Sequence, residues 1–136
     1  MINELWEKQK PLMLAGIVSF ICFLILAVVM MFDSTQILGI NRWIKPIKFY
    51  TSITIFVWTI AVFLNFLQGY EVASKRISWA MIVIFVVEML VITGQPLRGK
   101  TSHFNIATPV DGILYGVMGL AIVANTLLVG YLTYLY

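Results

Sequence analysis

The residues best suited to chemistry are one glutamate and two polar stretches. Glu88 stands inside an otherwise uncharged apolar run, Ile77 to Gly94. A carboxylate in a membrane-length helix is costly and marks a functional site whose partner has to be found. Six residues before Gly94, it lies about 9 Å below the surface where the following loop begins. Ile84, Phe85, Ile92 and Gln95 share its helical face, so its surroundings are apolar below and polar above. Desolvation there favours the neutral acid, whereas a nearby Arg98 or Lys48 favours the carboxylate. The sequence leaves that balance open, and a structural ion pair or a hydrogen bond to a neighbouring helix is the plain alternative.

The richest polar stretch runs Gln95-Pro96-Leu97-Arg98-Gly99-Lys100-Thr101-Ser102-His103-Phe104-Asn105, followed by Thr108-Pro109-Val110-Asp111. Arg98 offers a planar fork for carboxylate or phosphate, and Gly99 permits close backbone approach. His103 can exchange a proton or bind a metal. Ser102, Asn105 and Asp111 add hydrogen-bonding capacity. A wetted connector needs only polarity, and this loop has more variety than that. The second stretch, Asn41 to Lys48, places Arg42, Lys45, Lys48 and Trp43 together. Lys45 and Lys48 are three apart, on one face of a helix that continues through Ser52, Ile55 and Thr59. Its alternative reading is an interfacial anchor, with the indole at headgroup depth and the lysines reaching lipid phosphates.

Specific chemistries can be tested against these residues. A hydrolytic triad would need Ser102, His103 and Asp111, but a nucleophile and base adjacent in sequence are poorly arranged, and no G-x-S-x-G turn exists. Haem could use His103 as an axial ligand, with a second chain supplying the other histidine. A quinone could occupy the same pocket. With one histidine, one cysteine and scattered carboxylates, the chain falls short of a zinc or iron ligand set, so no metal site is expected. No phosphate-binding glycine motif or dinucleotide fingerprint is present.

These residues have to be positioned by elements that live in lipid. Of 136 residues, 61% are hydrophobic and 11% charged, where soluble chains carry roughly 25% charged residues. Nine basic and six acidic groups cannot coat a globule of this size. This balance excludes a cytosolic enzyme, a nucleic-acid reader and a disordered chain, and makes the lipid bilayer the first partner. Crossing about 30 Å of hydrocarbon takes roughly 20 helical residues. Four windows meet that length: about 12–32, 49–67, 77–94 and 112–134. The first is too long for the apolar region of a cleavable signal peptide. Trp6, Tyr70, Trp79 and Tyr131 fall at one set of helix ends, and Trp43, Tyr50 and Tyr115 at the other, depths that amphipathic rings favour. Pro46 and Pro109 mark helix starts.

The chain therefore reads as all-α: one polytopic domain, residues 1–136, of four transmembrane helices in an antiparallel bundle. An even number of spans puts both termini on one side of the cell membrane, joined there by a short turn, with both long loops, 33–48 and 95–111, on the other. Orientation is undecided, because Lys8, Lys10, Lys75 and Arg76 balance Arg42, Lys45, Lys48, Arg98 and Lys100. Cys22 is alone, so no disulfide framework exists within the chain. Gly112, Gly116 and Gly119 form a small-residue face suited to a homo-oligomer or to packing within one chain.

The segments Trp43 to Phe49 and Gln95 to Asn105 resemble those of a family of small bacterial four-helix integral membrane proteins. That resemblance covers most of the chain and implies no activity, cofactor or site. In size and helix count the chain is also similar to the small multidrug-resistance transporters. Those have their essential glutamate in the first span and lack long polar loops, so this similarity is architectural.

The functional expectation is a polar pocket near the long-loop surface that binds a small anionic or amphipathic ligand for transport or sensing. Arg98 and Lys48 would bind it, with Arg42, Lys45, Gln95, Ser102 and Asp111 around them. Glu88 would couple by taking a proton, and His103 with Asn105 would complete the rim. A haem or quinone redox protein, and an accessory subunit without a ligand, are the rival expectations.

Overall fold

The computed structural model describes residues 2–136. In chain order it contains α1 (Ile2–Lys8), α2 (Lys10–Phe32), a hairpin of β1 (Gln36–Ile37) and β2 (Ile40–Asn41), α3 (Ile44–Phe66), α4 (Glu71–Leu97) and α5 (Pro109–Leu135). Helix accounts for 79% of the chain, and α2, α3, α4 and α5 are long and apolar enough to cross a membrane. The chain is a multi-pass membrane protein built as an antiparallel helical bundle.

The helices extend beyond the windows that hydropathy marks. α4 begins at Glu71 and ends at Leu97, carrying Ser74, Ser78, Gln95 and Pro96 inside it, all buried. Polar residues at helix ends are absorbed where a neighbouring helix satisfies them, which a hydropathy window does not see. Glu88 therefore lies nine residues inside the C-terminal end of α4, about 13 Å from it and deeper than expected. Pro46 is the third residue of α3, in its first turn, and Pro109 opens α5, so both stand at helix starts as expected. α1 and α2 part at Gln9, whose backbone (φ −119°, ψ 29°) leaves the helix just ahead of Pro11.

α4 is central. Ile53, Val57, Ala61 and Leu64 of α3 pack with Leu12 of α2 and with Ile77, Met81 and Ile92 of α4. Trp58 lies across Gly16, where an added Cβ would stand 2.1 Å from the indole nitrogen, so this crossing requires glycine. α5 joins the bundle through Met118 and Leu132 and is otherwise largely exposed. Added Cβ atoms at Gly112, Gly116 and Gly119 would meet nothing within 4 Å, so packing within the chain does not use these glycines.

The two connections at the loop end are folded. Leu38 and Gly39, both at positive φ (52° and 79°), turn the hairpin that pairs Gln36 with Asn41 and Ile37 with Ile40. α4 ends in a left-handed cap at Gly99 (φ 70°), where Gly99 N–H reaches the Pro96 carbonyl and Lys100 N–H the Gln95 carbonyl, each at 3.0 Å. Thr108 caps α5, its hydroxyl oxygen accepting Asp111 N–H at 3.2 Å.

Candidate functional site

Two acids organise the loop end, each collecting bases that the sequence leaves unassigned. Asp33 follows directly on α2, where the helix ends. Its carboxylate accepts Arg42 Nε at 2.8 Å, Arg42 Nη2, the Trp43 indole N–H at 2.8 Å and Thr35 N–H at 3.0 Å. The Thr35 hydroxyl and N–H, then the indole and guanidinium, hold this carboxyl well below the usual carboxylate range. Asn41 ties the hairpin down by donating to the Asp33 carbonyl at 2.7 Å, and its own side-chain oxygen accepts Trp43 N–H at 2.9 Å. Arg42 also stacks over Trp43 and reaches the Pro96 carbonyl at 3.5 Å, so one loop leans on the other.

Asp111 is the second acid and is fully buried. Its oxygens accept Gln95 Nε2 (3.1 Å), Arg98 Nη1 (3.2 Å), Lys100 Nζ (2.7 Å) and the Thr108 hydroxyl (2.7 Å). Arg98 Nη1 also donates to Gln95 Oε1 at 2.8 Å. Buried carboxylates persist when paired and saturated in this way, because every lone pair has a donor. The knot joins the end of α4 to the start of α5 and closes the 98–108 loop over them. Of the residues expected to bind ligand, Gln95, Arg98 and Asp111 are brought together, but around one another. Arg42 is likewise held, by Asp33.

The rest of the expected rim is less committed. The Ser102 hydroxyl and His103 Nδ1 lie 3.1 Å apart, and the imidazole packs against Phe49 with ring centres 5.7 Å apart. Asp111 is bonded elsewhere, so the three do not form a triad. Desolvation, and next the charge of Lys45, push the His103 imidazole below its ordinary value. Asn105 spends its side chain on its own loop, donating to the Thr101 carbonyl at 3.3 Å and accepting Ala107 N–H at 3.1 Å. Among the described residues Lys45 and Lys48 have no acidic partner, and Lys48 is exposed. Glu88 is 6% exposed and has neither a hydrogen bond nor an ion pair among the described residues. No three His, Cys, Asp or Glu side chains converge as a metal centre among them.

The other end of the bundle holds a polar cluster that sequence reasoning missed. Gln9, 5% exposed, donates to the Ser74 hydroxyl at 2.8 Å and accepts the Ser78 hydroxyl at 3.0 Å. Ser74 and Ser78, four apart on one face of α4, are the signal that was open to view, but their partner is 65 residues from Ser74 in the chain. For Asp111 the signal was Thr108-Pro109-Val110-Asp111, a capping sequence that puts the acid in the first turn of α5.

No protein-family profile, curated protein or solved structure matches the chain.

Proposed function

We propose that this protein binds a small anionic or amphipathic molecule at the loop end of the bundle, for transport or sensing, and that Lys45 and Lys48 recognise it. One observation carries this reading. Five bases stand at that end, and its two acids, Asp33 and Asp111, engage only Arg42, Arg98 and Lys100. Among the described residues Lys45 and Lys48 remain as charge without an acidic partner, and the Lys45 charge acts on the His103 imidazole, which packs on Phe49. An anion with an apolar body suits that combination of ammonium groups and neighbouring half-buried rings. Arg98 and Arg42 then build the rim without touching the ligand, and Gln95, Ser102, Asn105 and Asp111 hold its loops.

Glu88 is the coupling group in this reading. A carboxylate inside a span with no partner has free capacity for a proton, and it lies under the same end of α4. Both termini share one face of the cell membrane, opposite the ligand. Gly112, Gly116 and Gly119 are open to a second chain and support a homo-oligomer.

Native mass spectrometry of the protein released from neutral detergent tests the binding. A retained anionic adduct is expected, lost in the Lys45→Ala/Lys48→Ala double variant while the protein stays folded. A bare chain overturns the reading and favours an accessory subunit, and an adduct that survives the variant overturns the role of Lys45 and Lys48.

A further inference from the structure

The loop from Lys100 to Thr108 is turned inside out. Its polar side chains are withdrawn, with Lys100, Thr101, Ser102, His103, Asn105 and Thr108 all buried or half-buried. The residues it exposes are Phe104, Ile106 and Ala107, Phe104 by 83% and Ile106 by 76%. A loop bathed in water on its outer side has the opposite pattern, because water solvates polar groups and is driven from apolar ones. Phe104 keeps its outward place at positive φ (56°), where a bulky residue is disfavoured. Lys100 and Thr108, which bound the loop, both bond Asp111, so this conformation is fastened to the junction of α4 and α5.

The depth of the exposed ring says what surrounds it. The Phe104 ring centre is 5.5 Å from that of Tyr115, which lies six residues after Pro109 and so about 9 Å along α5. With 27 residues α5 is about 40 Å long, about 10 Å more than the hydrocarbon it crosses. With that excess shared between its two ends, Tyr115 lies just inside the hydrocarbon boundary, and Phe104 lies beside it on a helix whose flank is largely exposed and apolar. The loop backbone, joined to the start of α5, stays at headgroup level, where water satisfies the carbonyl and N–H groups that an irregular segment leaves free.

We infer that the loop between Lys100 and Thr108 is a membrane wedge, and that the partner of its exposed surface is lipid. Phe104 and Ile106 enter the leaflet at the boundary of headgroups and acyl chains beside α5, a depth that aromatic side chains with apolar neighbours favour. The withdrawn polar residues and the positive φ of Phe104 have one explanation in this arrangement, since both follow from presenting apolar groups outward. The inference is independent of the lysines, and it stands whether or not Lys45 and Lys48 bind a ligand.

Fluorescence quenching in nanodiscs of phosphatidylcholine and phosphatidylglycerol tests it. Cys22→Ser removes the only cysteine of the chain, and Ile106→Cys then carries an environment-sensitive fluorophore. A matched label at Gln68→Cys, in the exposed turn between α3 and α4, gives the reference for water. The label at 106 is expected to be quenched most by lipid with a nitroxide near the headgroup end of its chain, less by one near the terminal methyl, and less by aqueous iodide than the label at 68. Phe104→Asn keeps a residue that tolerates positive φ and removes the ring. It is expected to lose the lipid quenching at 106 and to gain iodide quenching, while Phe104→Leu retains the parent pattern. Three results overturn the proposal. Iodide quenching at 106 equal to that at 68 would place the loop in water. Shielding from both quenchers would place protein over it, a second copy or a partner subunit. Lipid quenching unchanged by Phe104→Asn would show that Phe104 holds nothing in the leaflet.

Discussion

Asp111 and Glu88 are both buried carboxylates of the membrane-spanning helices, yet their surroundings are opposite. Asp111 accepts hydrogen bonds from Gln95, Arg98, Lys100 and Thr108, while Glu88, seven residues before Gln95 on α4, accepts none among the described residues. The difference teaches how to sort polar residues in a membrane protein. A saturated acid explains itself by the structure it holds together, and an unpartnered one leaves its cost without a structural return. By that rule Asp111 is a fastening and Glu88 is the candidate for function.

Breaking the fastening is expected to have the largest effect. Asp111→Ala strands Gln95, Arg98, Lys100 and Thr108 around an empty acceptor and frees the 98–108 loop from α5. Removing one partner of a buried charged network is strongly destabilising, and a fall in Tm of about 10 °C is expected. Thermal unfolding in detergent measures it. A loss no larger than that of an exposed substitution such as Lys10→Ala would show that the knot holds nothing.

Asp33→Ala comes next, with a fall in Tm of about 5 °C. Asp33 is partly exposed, so water replaces some of the lost bonds. The more specific readout is local. With Arg42 and the indole released, the 33–43 connection loosens, and trypsin is expected to cleave after Arg42 in the variant and not in the parent. Equal resistance in both would mean that the hairpin, and not Asp33, orders the loop.

At Glu88 the comparison predicts a dissociation between stability and function. Glu88→Gln removes no hydrogen bond or ion pair among the described residues and keeps the side-chain volume, so Tm is expected to change by no more than about 2 °C. The pH dependence of ligand transport or binding between pH 5 and 8 is expected to flatten. A large loss of Tm would place Glu88 with Asp111 among the structural acids, and an unchanged pH profile would end its coupling role.

The four spans were legible because hydropathy over about 20 residues is a local property, and their flanking aromatics agreed. The partition of the loop-end charges was not. Arg98 carries a fork suited to an anionic ligand, and one nitrogen of it, Nη1, is given to Asp111, thirteen residues away across a loop whose path the residue types do not specify. Asp33 carries no mark of its role in the sequence, because that role depends on a hairpin that returns Arg42 and Trp43 to it. Gln9 was illegible for the same reason, since its partners are on another helix. Glu88 was the reverse case. Its type and its apolar neighbours marked it directly, and the structure adds only that no partner explains it away.

The smallest effect belongs to His103, on which the Lys45 charge acts. Desolvation, and then the Lys45 charge, lower its tendency to protonate in the folded protein below its ordinary value of 6.5. The unfolded chain thus binds the proton more readily, and its preference sets the sign: stability is full above about pH 6.5 and is lost as pH falls through that value toward the folded one. His103→Gln is expected to remove this slope, leaving Tm at pH 7.5 nearly unchanged and Tm at pH 5.5 slightly higher than in the parent. Lys45→Ala relieves only the smaller cause and is expected to reduce the slope in part. If Lys45→Ala instead abolishes it, the Lys45 charge outweighs burial at His103. Lys45 and His103 would then act as one electrostatic unit at the proposed ligand site.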